Sequence, residues 1–382
     1  MTYLEAGIKV LEQIIDSGFE AFFVGGFVRD YILGVDSNDI DIATNALPNQ
    51  IANIFKVVNT GIKYNCVTIN YEGYTFETTT YRIEGAYTNN RHPSYIVGES
   101  LSDDLKRRDF TINAMAMDKN MKVIDLFDGL NDLKKGIIRT VYEPQRRFTE
   151  DALRMLRAAY FASKLGFEID NETLLGMKSC SYLVQNLSCD RICWELEKLI
   201  NSTFPKIGVN YLIETNIAPY LSNFKKGIYL FKEKNLDKIS WIEFLAICYF
   251  DDVTELANIH LKSNISSLVT MAINVAKENK KNEFSRHTLF EYGLNTVIVA
   301  NKLNVLLFGS KDKESYINQE YRKLPIHSMS ELAITGIDII DNVTIKENRM
   351  ISQILKEVKL LVLNDKLDNS KESILKYIKK HF

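Results

Sequence analysis

The segment Gly25-Gly26-Phe27-Val28-Arg29-Asp30, closely followed by Asp39-Ile40-Asp41, constrains this chain more than any other. It orders a strand, a glycine turn, a helix opening near Phe27 and a second strand carrying two carboxylates at i and i+2. Residues two apart on a strand share a face, so Asp39 and Asp41 project together while Ile40 turns into the core. Adjacent carboxylates repel unless a divalent cation lies between them, and Mg²⁺ accepts carboxylate oxygens together with phosphates. Gly25 and Gly26 let the backbone approach a triphosphate closely, and the helix start aims free N–H groups at it. Asp39 and Asp41 are therefore candidate metal ligands, with Gly25, Gly26 and Arg29 beside a phosphate.

A small mixed sheet would place these parts together, and the texture of the chain agrees. Residues 20 to about 140 mix short β-branched runs with helices. Val67 to Tyr71, the turn Glu72-Gly73 and Tyr74 to Tyr81 read as a hairpin. Within it Glu77 is the one acid after the turn. Beyond Phe148 helical patterns run to Phe382. The expected architecture is an α/β head followed by an extended all-α remainder, divided as 1–140, 141–200, 201–285 and 286–382.

Net charge is −2, so nucleic-acid contact has to come from local patches such as Lys106-Arg107-Arg108, Arg146-Arg147 and Lys376 to Lys380. Such runs are more often solvated faces, and alone they carry no RNA-binding claim. The five cysteines form no C-x-x-C pair and read as reduced core thiols. No apolar run reaches the ~18–20 residues that span a bilayer. A cytoplasmic protein with no obligatory protein partner is expected. The five histidines are scattered, which argues against a metal phosphohydrolase domain.

Three further blocks look chemical. In Arg107-Arg108-Asp109-Phe110-Thr111-Ile112-Asn113-Ala114-Met115, a helix would put Asp109 and Asn113 on one face and Phe110, Ala114 and Met117 on another. Arg108, Asp109 and Asn113 could then hold a ribose hydroxyl and phosphate oxygens. In Phe148-Thr149-Glu150-Asp151-Ala152-Leu153-Arg154-Met155-Leu156-Arg157, Thr149 is the expected N-cap, with Asp151 and Arg154 on one face. A carboxylate accepts from an exocyclic amine while an arginine donates to ring acceptors, so this pair could select C and A over U and G. In Asp190-Arg191-Ile192-Cys193-Trp194-Glu195-Leu196, Arg191 and Glu195 are expected to pair and to steady the nucleotide-binding helix. The acids of Asp125 to Gly136 are expected to fix turns and cap helices.

The string GGFVRDYILGVDSNDIDIATNALP and these blocks resemble the class II tRNA nucleotidyltransferases (CCA-adding enzymes) and the related bacterial poly(A) polymerases, within the DNA polymerase β superfamily. The resemblance covers roughly the first 200 residues. It implies catalytic Asp39 and Asp41, with Glu77 as a third carboxylate, around two Mg²⁺ ions. It also implies nucleotide contacts from Gly25, Gly26, Arg29, Arg108, Asp109, Asn113, Asp151, Arg154 and Arg157. CTP and ATP would be the substrates and tRNA, held by its acceptor arm and T-loop, the acceptor. Tyr81 to Val97 reads as a mobile loop resembling the one that full CCA synthesis requires in the family, although Asn89 stands where many members have aspartate. Tyr160 likewise replaces a frequent arginine. Poly(A) polymerase and CC-adding activities are the alternatives. The aromatic residues Tyr211, Phe224, Tyr229, Phe231, Trp241 and Phe244 are expected in the core rather than on RNA.

Overall fold

The computed structural model describes residues 1–382 except 38, 62–64, 89–91, 99, 282 and 344–347. The chain divides into two compact units, Met1–Lys238 and Ile239–Phe382.

The first unit opens with helix α1 (Tyr3–Asp16). Its start is set by a reciprocal cap, in which Glu5 N–H donates to Thr2 Oγ1 at 3.2 Å and Thr2 N–H donates to Glu5 Oε2 at 2.8 Å. The apolar stripe Ala6, Val10, Leu11 and Ile14 is fully buried. At Gly7 a Cβ would come within 3.2 Å of the Phe23 and Phe76 rings, so a glycine permits close packing of α1 on the sheet.

The sheet has seven strands in the order β3-β4-β5-β2-β1-β8-β9. They are β1 (Ala21–Val24), β2 (Asp41–Thr44), β3 (Val57–Gly61), β4 (Cys66–Tyr71), β5 (Tyr74–Thr80), β8 (Met115–Met117) and β9 (Val123–Asp125). Helices α2 (Gly26–Ile32) and α3 (Pro48–Ile54) fall between the early strands. All neighbours run antiparallel except β2 and β5, which are parallel with Asp41 beside Glu77. The expected β4–β5 hairpin is present, and Glu72 and Gly73 carry φ of 51° and 83° at its turn. Alternation then separates two faces. Phe23, Ile42, Ile69 and Phe76 form the core beneath α1. Val24, Ala43 and Ala116 cluster with Tyr81 and with Leu105 of helix α4 (Leu101–Lys106). Asp41 and Glu77 belong to this second face.

Residues 82–97 depart from the expected loop. Strands β6 (Arg82–Thr88) and β7 (His92–Val97) pair antiparallel, with Arg82 opposite Val97. The polar composition suggested irregular chain, yet the two strands satisfy each other's backbone groups. Asn89 lies outside the described residues.

Helices α5 (Gly129–Lys135), α6 (Pro144–Glu150), α7 (Leu153–Leu165), α8 (Asn171–Cys180), α9 (Cys189–Ile200), α10 (Pro205–Glu214) and α11 (Lys225–Glu233) complete the unit, with a short parallel pair β10 (Ile137–Ile138) and β11 (Glu168–Ile169). Asp125 caps α5 by accepting the N–H groups of Phe127, Gly129 and Leu130, as expected of its block. Gly208 of α10 brings that helix against α7, since a Cβ there would lie 2.1 Å from Ser163 Oγ.

The second unit is helical throughout: α12 (Trp241–Cys248), α13 (Ser263–Glu278), α14 (Arg286–Phe308), α15 (Glu314–Arg322), α16 (Gly336–Asn342), α17 (Asn348–Leu363) and α18 (Lys371–His381). Helix α14 is broken at Gly293, whose φ of 74° no helix accommodates. Across the two units Phe224, Phe231, Trp241 and Phe244 are at most 4% exposed, so these aromatics are core as expected, while Tyr229 is 38% exposed. No described helix is long and apolar enough to cross a membrane.

Candidate active site

An open cleft of about 480 Å³ in the first unit gathers most of the predicted residues. Gly25, Gly26, Arg29, Asp39, Asp41, Arg108, Asp109, Asn113, Asp151, Arg154 and Arg157 all line it.

Asp41 opens β2 and Asp39 lies just before the strand, with Ile40 buried between them as expected. Burial first, and then the Asp39 charge, push the Asp41 carboxyl up to about 6; Glu77 adds to this and Arg108 opposes it. Glu77 stands next to Asp41 across the parallel register but does not line the cleft. Its Oε1 accepts from the Cys66 thiol at 3.2 Å. Among the described residues no group of three acidic, thiol or imidazole side chains forms a metal cage. The Asp39–Asp41 pair nevertheless has the donor chemistry for Mg²⁺, which completes its shell with water and phosphate oxygens. A raised carboxyl among like charges is also what a bound cation would relieve.

Gly25 has φ 71° and ψ −133°, a conformation open to glycine, and a Cβ there would lie 2.7 Å from Arg108 Nη1 and 3.6 Å from Asp41 Oδ2. The glycine is thus required both by the turn and by the guanidinium seated over it. Arg108 is held by the fully buried Asp104 at 3.0 Å, and Asp104 also takes Arg107. Burial acts to raise the Asp104 carboxyl, but the two guanidinium groups outweigh it and keep it low.

The Asp109 block is not a helix. The chain passes through a bridge from Phe110 to Thr140, a 3₁₀ turn at Thr111–Asn113 and strand β8. Asp109 bends the backbone itself by accepting the next N–H, from Phe110, at 2.9 Å. Thr111 donates to Asp132 of α5 at 2.7 Å. The predicted partners still meet: Asn113 Nδ2 donates to Asp109 Oδ1 at 3.1 Å, and Asn113 Oδ1 accepts from Arg29 Nη1 at 2.6 Å. Arg157 grips Asp109 Oδ2 through Nε at 2.7 Å and Nη2 at 2.6 Å. Burial opposes the Asp109 charge, yet Arg157, Asn113 and the Phe110 N–H hold its carboxyl down at about 2.

The Asp151 block also differs from expectation. Thr149 is not an N-cap; it lies within α6 and donates to Gln145 O at 2.8 Å. The helix breaks at Asp151, which is extended at φ −146° and accepts the Leu153 N–H that starts α7. Asp151 and Arg154 therefore flank a helix junction rather than share a helical face. Arg154, 6% exposed, donates to Arg147 O at 3.0 Å and Glu150 Oε2 at 2.9 Å. Arg191 does not pair with Glu195. It reaches Asp151 from α9 at 2.8 Å, while Glu195 takes Lys198 at 2.6 Å and approaches Arg157 at 4.0 Å. The steadying role expected of α9 is realised through these different partners.

Arg107, Tyr160, Phe161, Lys164 and Lys198 line the cleft as well. Sequence reasoning noted Tyr160 only as a departure and passed over the lysines. The signal was the spacing of Arg157, Tyr160, Phe161 and Lys164 at i, i+3, i+4 and i+7, one face of a helix. The guanidinium carbons of Arg29 and Arg157 both stand 5.2 Å from the Phe161 ring centroid.

A mixed sheet bearing paired carboxylates, opposite arginines that suit phosphate, defines a nucleotidyltransferase head, and the sequence profile "Poly A polymerase head domain" matches residues 21–139. Profiles described as "Probable RNA and SrmB- binding site of polymerase A" and tRNA nucleotidyltransferase domain 2 match residues 166–224 and 240–378. The CCA-adding enzyme of Ligilactobacillus salivarius is 36% identical over 98% of this chain and 95% of its own length. The crystal structure of the Bacillus stearothermophilus CCA-adding enzyme in complex with CTP superposes with a TM-score of 0.84 at 29% identity, covering 100% of this chain and 98% of that one. The Thermotoga maritima CCA-adding enzyme complexed with tRNA shares the fold, with a TM-score of 0.67 at 21% identity over 97% and 93% of the two chains. The chain belongs to the CCA-adding enzymes, a family of tRNA nucleotidyltransferases.

Proposed function

We propose that this protein adds C, C and A to the 3′ end of tRNA, using CTP and ATP without a template. The observation that carries this is one cleft holding both the Asp39–Asp41 pair, with Arg108 over Gly25, and the Asp151–Arg154 junction. The chain's family supplies the acceptor.

In this reading the tRNA 3′-hydroxyl attacks the α-phosphorus of the bound nucleotide, the bond to the β-phosphate breaks and pyrophosphate leaves. Asp39 and Asp41, with Glu77 beside them, would hold the divalent cations of a two-ion Mg²⁺ site. When bound, such ions neutralise phosphate charge and lower the pKa of the attacking hydroxyl. Gly25 and Gly26 admit the triphosphate, and Arg108 and Arg29 offset its charge from two sides. Asp109 and Asn113, clamped by Arg157, present a fixed acceptor and amide to the ribose. Asp151 accepts the exocyclic amine of cytosine or adenine; a carboxylate offers about four lone-pair sites, so its bonds to Arg191 and Leu153 leave room for one more. Arg154 meets the ring acceptor of the same base. Uracil and guanine present the opposite polarity there and leave one acceptor site of Asp151 and one N–H of Arg154 unmet, a penalty of roughly 1–3 kcal/mol per lost bond.

Catalysis is assigned to residues 1–140 and base selection to 141–200. Residues 201–285 and 286–382 hold the acceptor arm and T-loop of tRNA through its backbone, as shape-based reading of A-form RNA requires. A cytoplasmic location belongs to the same reading, supported by its tRNA-processing relatives. Equilibrium dialysis against each nucleoside triphosphate tests the assignment. CTP and ATP are retained, UTP and GTP are not, and Asp151→Ala loses the distinction; retention of all four by the unaltered protein refutes it.

A further inference from the structure

The nucleotide cleft is lined by more than the residues assigned a role so far. Tyr160 of α7 and Lys198 of α9 form part of its lining. Lys198 Nζ sits 5.0 Å from the Tyr160 ring centroid and 5.9 Å from that of Trp194, one turn earlier on α9. Glu195 fixes the ammonium at 2.6 Å. The buried face of α9 is Ile192, Cys193, Glu195, Leu196, Leu199 and Ile200, so Trp194 contributes nothing to that packing. It is instead 70% exposed, unusual for the largest aromatic side chain. An aromatic ring, a cation and a second aromatic ring therefore run from the surface into the site.

We propose that Trp194 is a stacking platform for the unpaired 3′-terminal bases of the acceptor RNA, with Lys198 beside it on their phosphates. This rests on the function proposed above. The acceptor's 3′-hydroxyl must reach Asp39 and Asp41, and the single strand that carries it enters over the rim of the cleft. The cleft lining carries the cations of Arg107, Lys164 and Lys198, each held in place by a carboxylate of Asp104, Asp30 or Glu195, and these can meet a polynucleotide backbone. Every base has a π-face, so stacking on an aromatic ring accepts each successive end of a growing strand without reading it. The incoming nucleotide's base is served deeper in the cleft by Asp151 and Arg154, leaving Trp194 to the acceptor.

The chain has two tryptophans and the other, Trp241, is 4% exposed, so intrinsic fluorescence can follow Trp194 directly. A tRNA transcript lacking its 3′ CCA, titrated without nucleotides, quenches the wild-type emission, and the quench is absent in Trp194→Phe. CTP alone does not produce it. In steady-state extension, Trp194→Ala raises KM for tRNA roughly 5- to 150-fold, the range found for removing one stacking ring. KM for CTP and kcat remain within about twofold, and Trp194→Phe, which keeps a ring, stays nearer the wild type. An unchanged KM for tRNA in Trp194→Ala overturns the proposal, as does quenching by CTP alone. Wild-type protein that extends no tRNA would instead refute the proposed function, while the quenching titration would still decide whether RNA stacks on Trp194.

Discussion

Asp41 should be a residue that the reaction needs and the fold would be better without. Its carboxyl is raised from 3.8 to about 6 by burial, then by Asp39 and Glu77, against the opposing pull of Arg108. The folded protein therefore binds more protons than the unfolded chain between those two values. Stability falls as pH rises through that window, and the penalty is complete above about 6. Two units at about 1.4 kcal/mol each set an upper bound near 3 kcal/mol, reduced by partial solvent access to about 1–3. Asp41→Asn keeps the shape and removes the charge. In chelator, at pH 8, the variant should melt higher than wild type by roughly 2–4 °C for each kcal/mol. The difference should vanish below about pH 3, where Asp41 is protonated in both states. Mg²⁺ should then stabilise the wild type and leave Asp41→Asn unmoved, because a ligand of the folded state adds to stability by mass action. Melting curves by circular dichroism, recorded with chelator and with Mg²⁺, measure all three quantities. A variant less stable than wild type at pH 8 in chelator, or a gap that does not depend on pH, would show that Asp41 is not held among repelling carboxylates.

Other consequences follow from the same contacts. Asp109, depressed to about 2, contributes stability that is present above 3.8 and lost as pH falls through about 2. Asp109→Asn should therefore cost about 2 kcal/mol at pH 7 by urea denaturation, with a smaller loss in acid. Gly25→Ala forces a Cβ against Arg108 at a backbone conformation that costs about 1–3 kcal/mol, and should lower kcat/KM for CTP at least ~10-fold. Arg191→Ala frees Asp151 from its anchor on α9 and should narrow the preference for CTP over UTP by roughly tenfold, read as the ratio of kcat/KM values.

The parts of the site that are local were legible in the sequence. Asp39, Ile40 and Asp41 alternate as a strand requires, and Glu72-Gly73 closes a hairpin, whereas Glu77 beside Asp41 was legible only through the family resemblance. What could not be read depends on partners distant in the chain. The i, i+4 spacing of Asp109 and Asn113 fits a helix, but Thr140, Asp132 and Arg157 draw that segment into a turn and strand. No glycine or proline marks the break at Asp151; it is stabilised by the capped Leu153 N–H and by Arg191, 40 residues away. Arg191 and Glu195 have the spacing of an ion pair, yet each finds a partner on α6–α7 or nearer along α9. Residues 82–97 show no apolar period, and among the described residues β6 and β7 pair only with each other.

The central claim is that one cleft adds three nucleotides and then stops. Extension of a single tRNA transcript lacking its 3′ CCA, with each nucleoside triphosphate alone and with CTP plus ATP, tests it most directly. The account predicts two additions from CTP alone, three from CTP with ATP, and none from either mixture when Asp41→Asn replaces the wild type. A long ladder from ATP alone would make this a poly(A) polymerase, and a halt at two nucleotides with ATP present a CC-adding enzyme; either would contradict it.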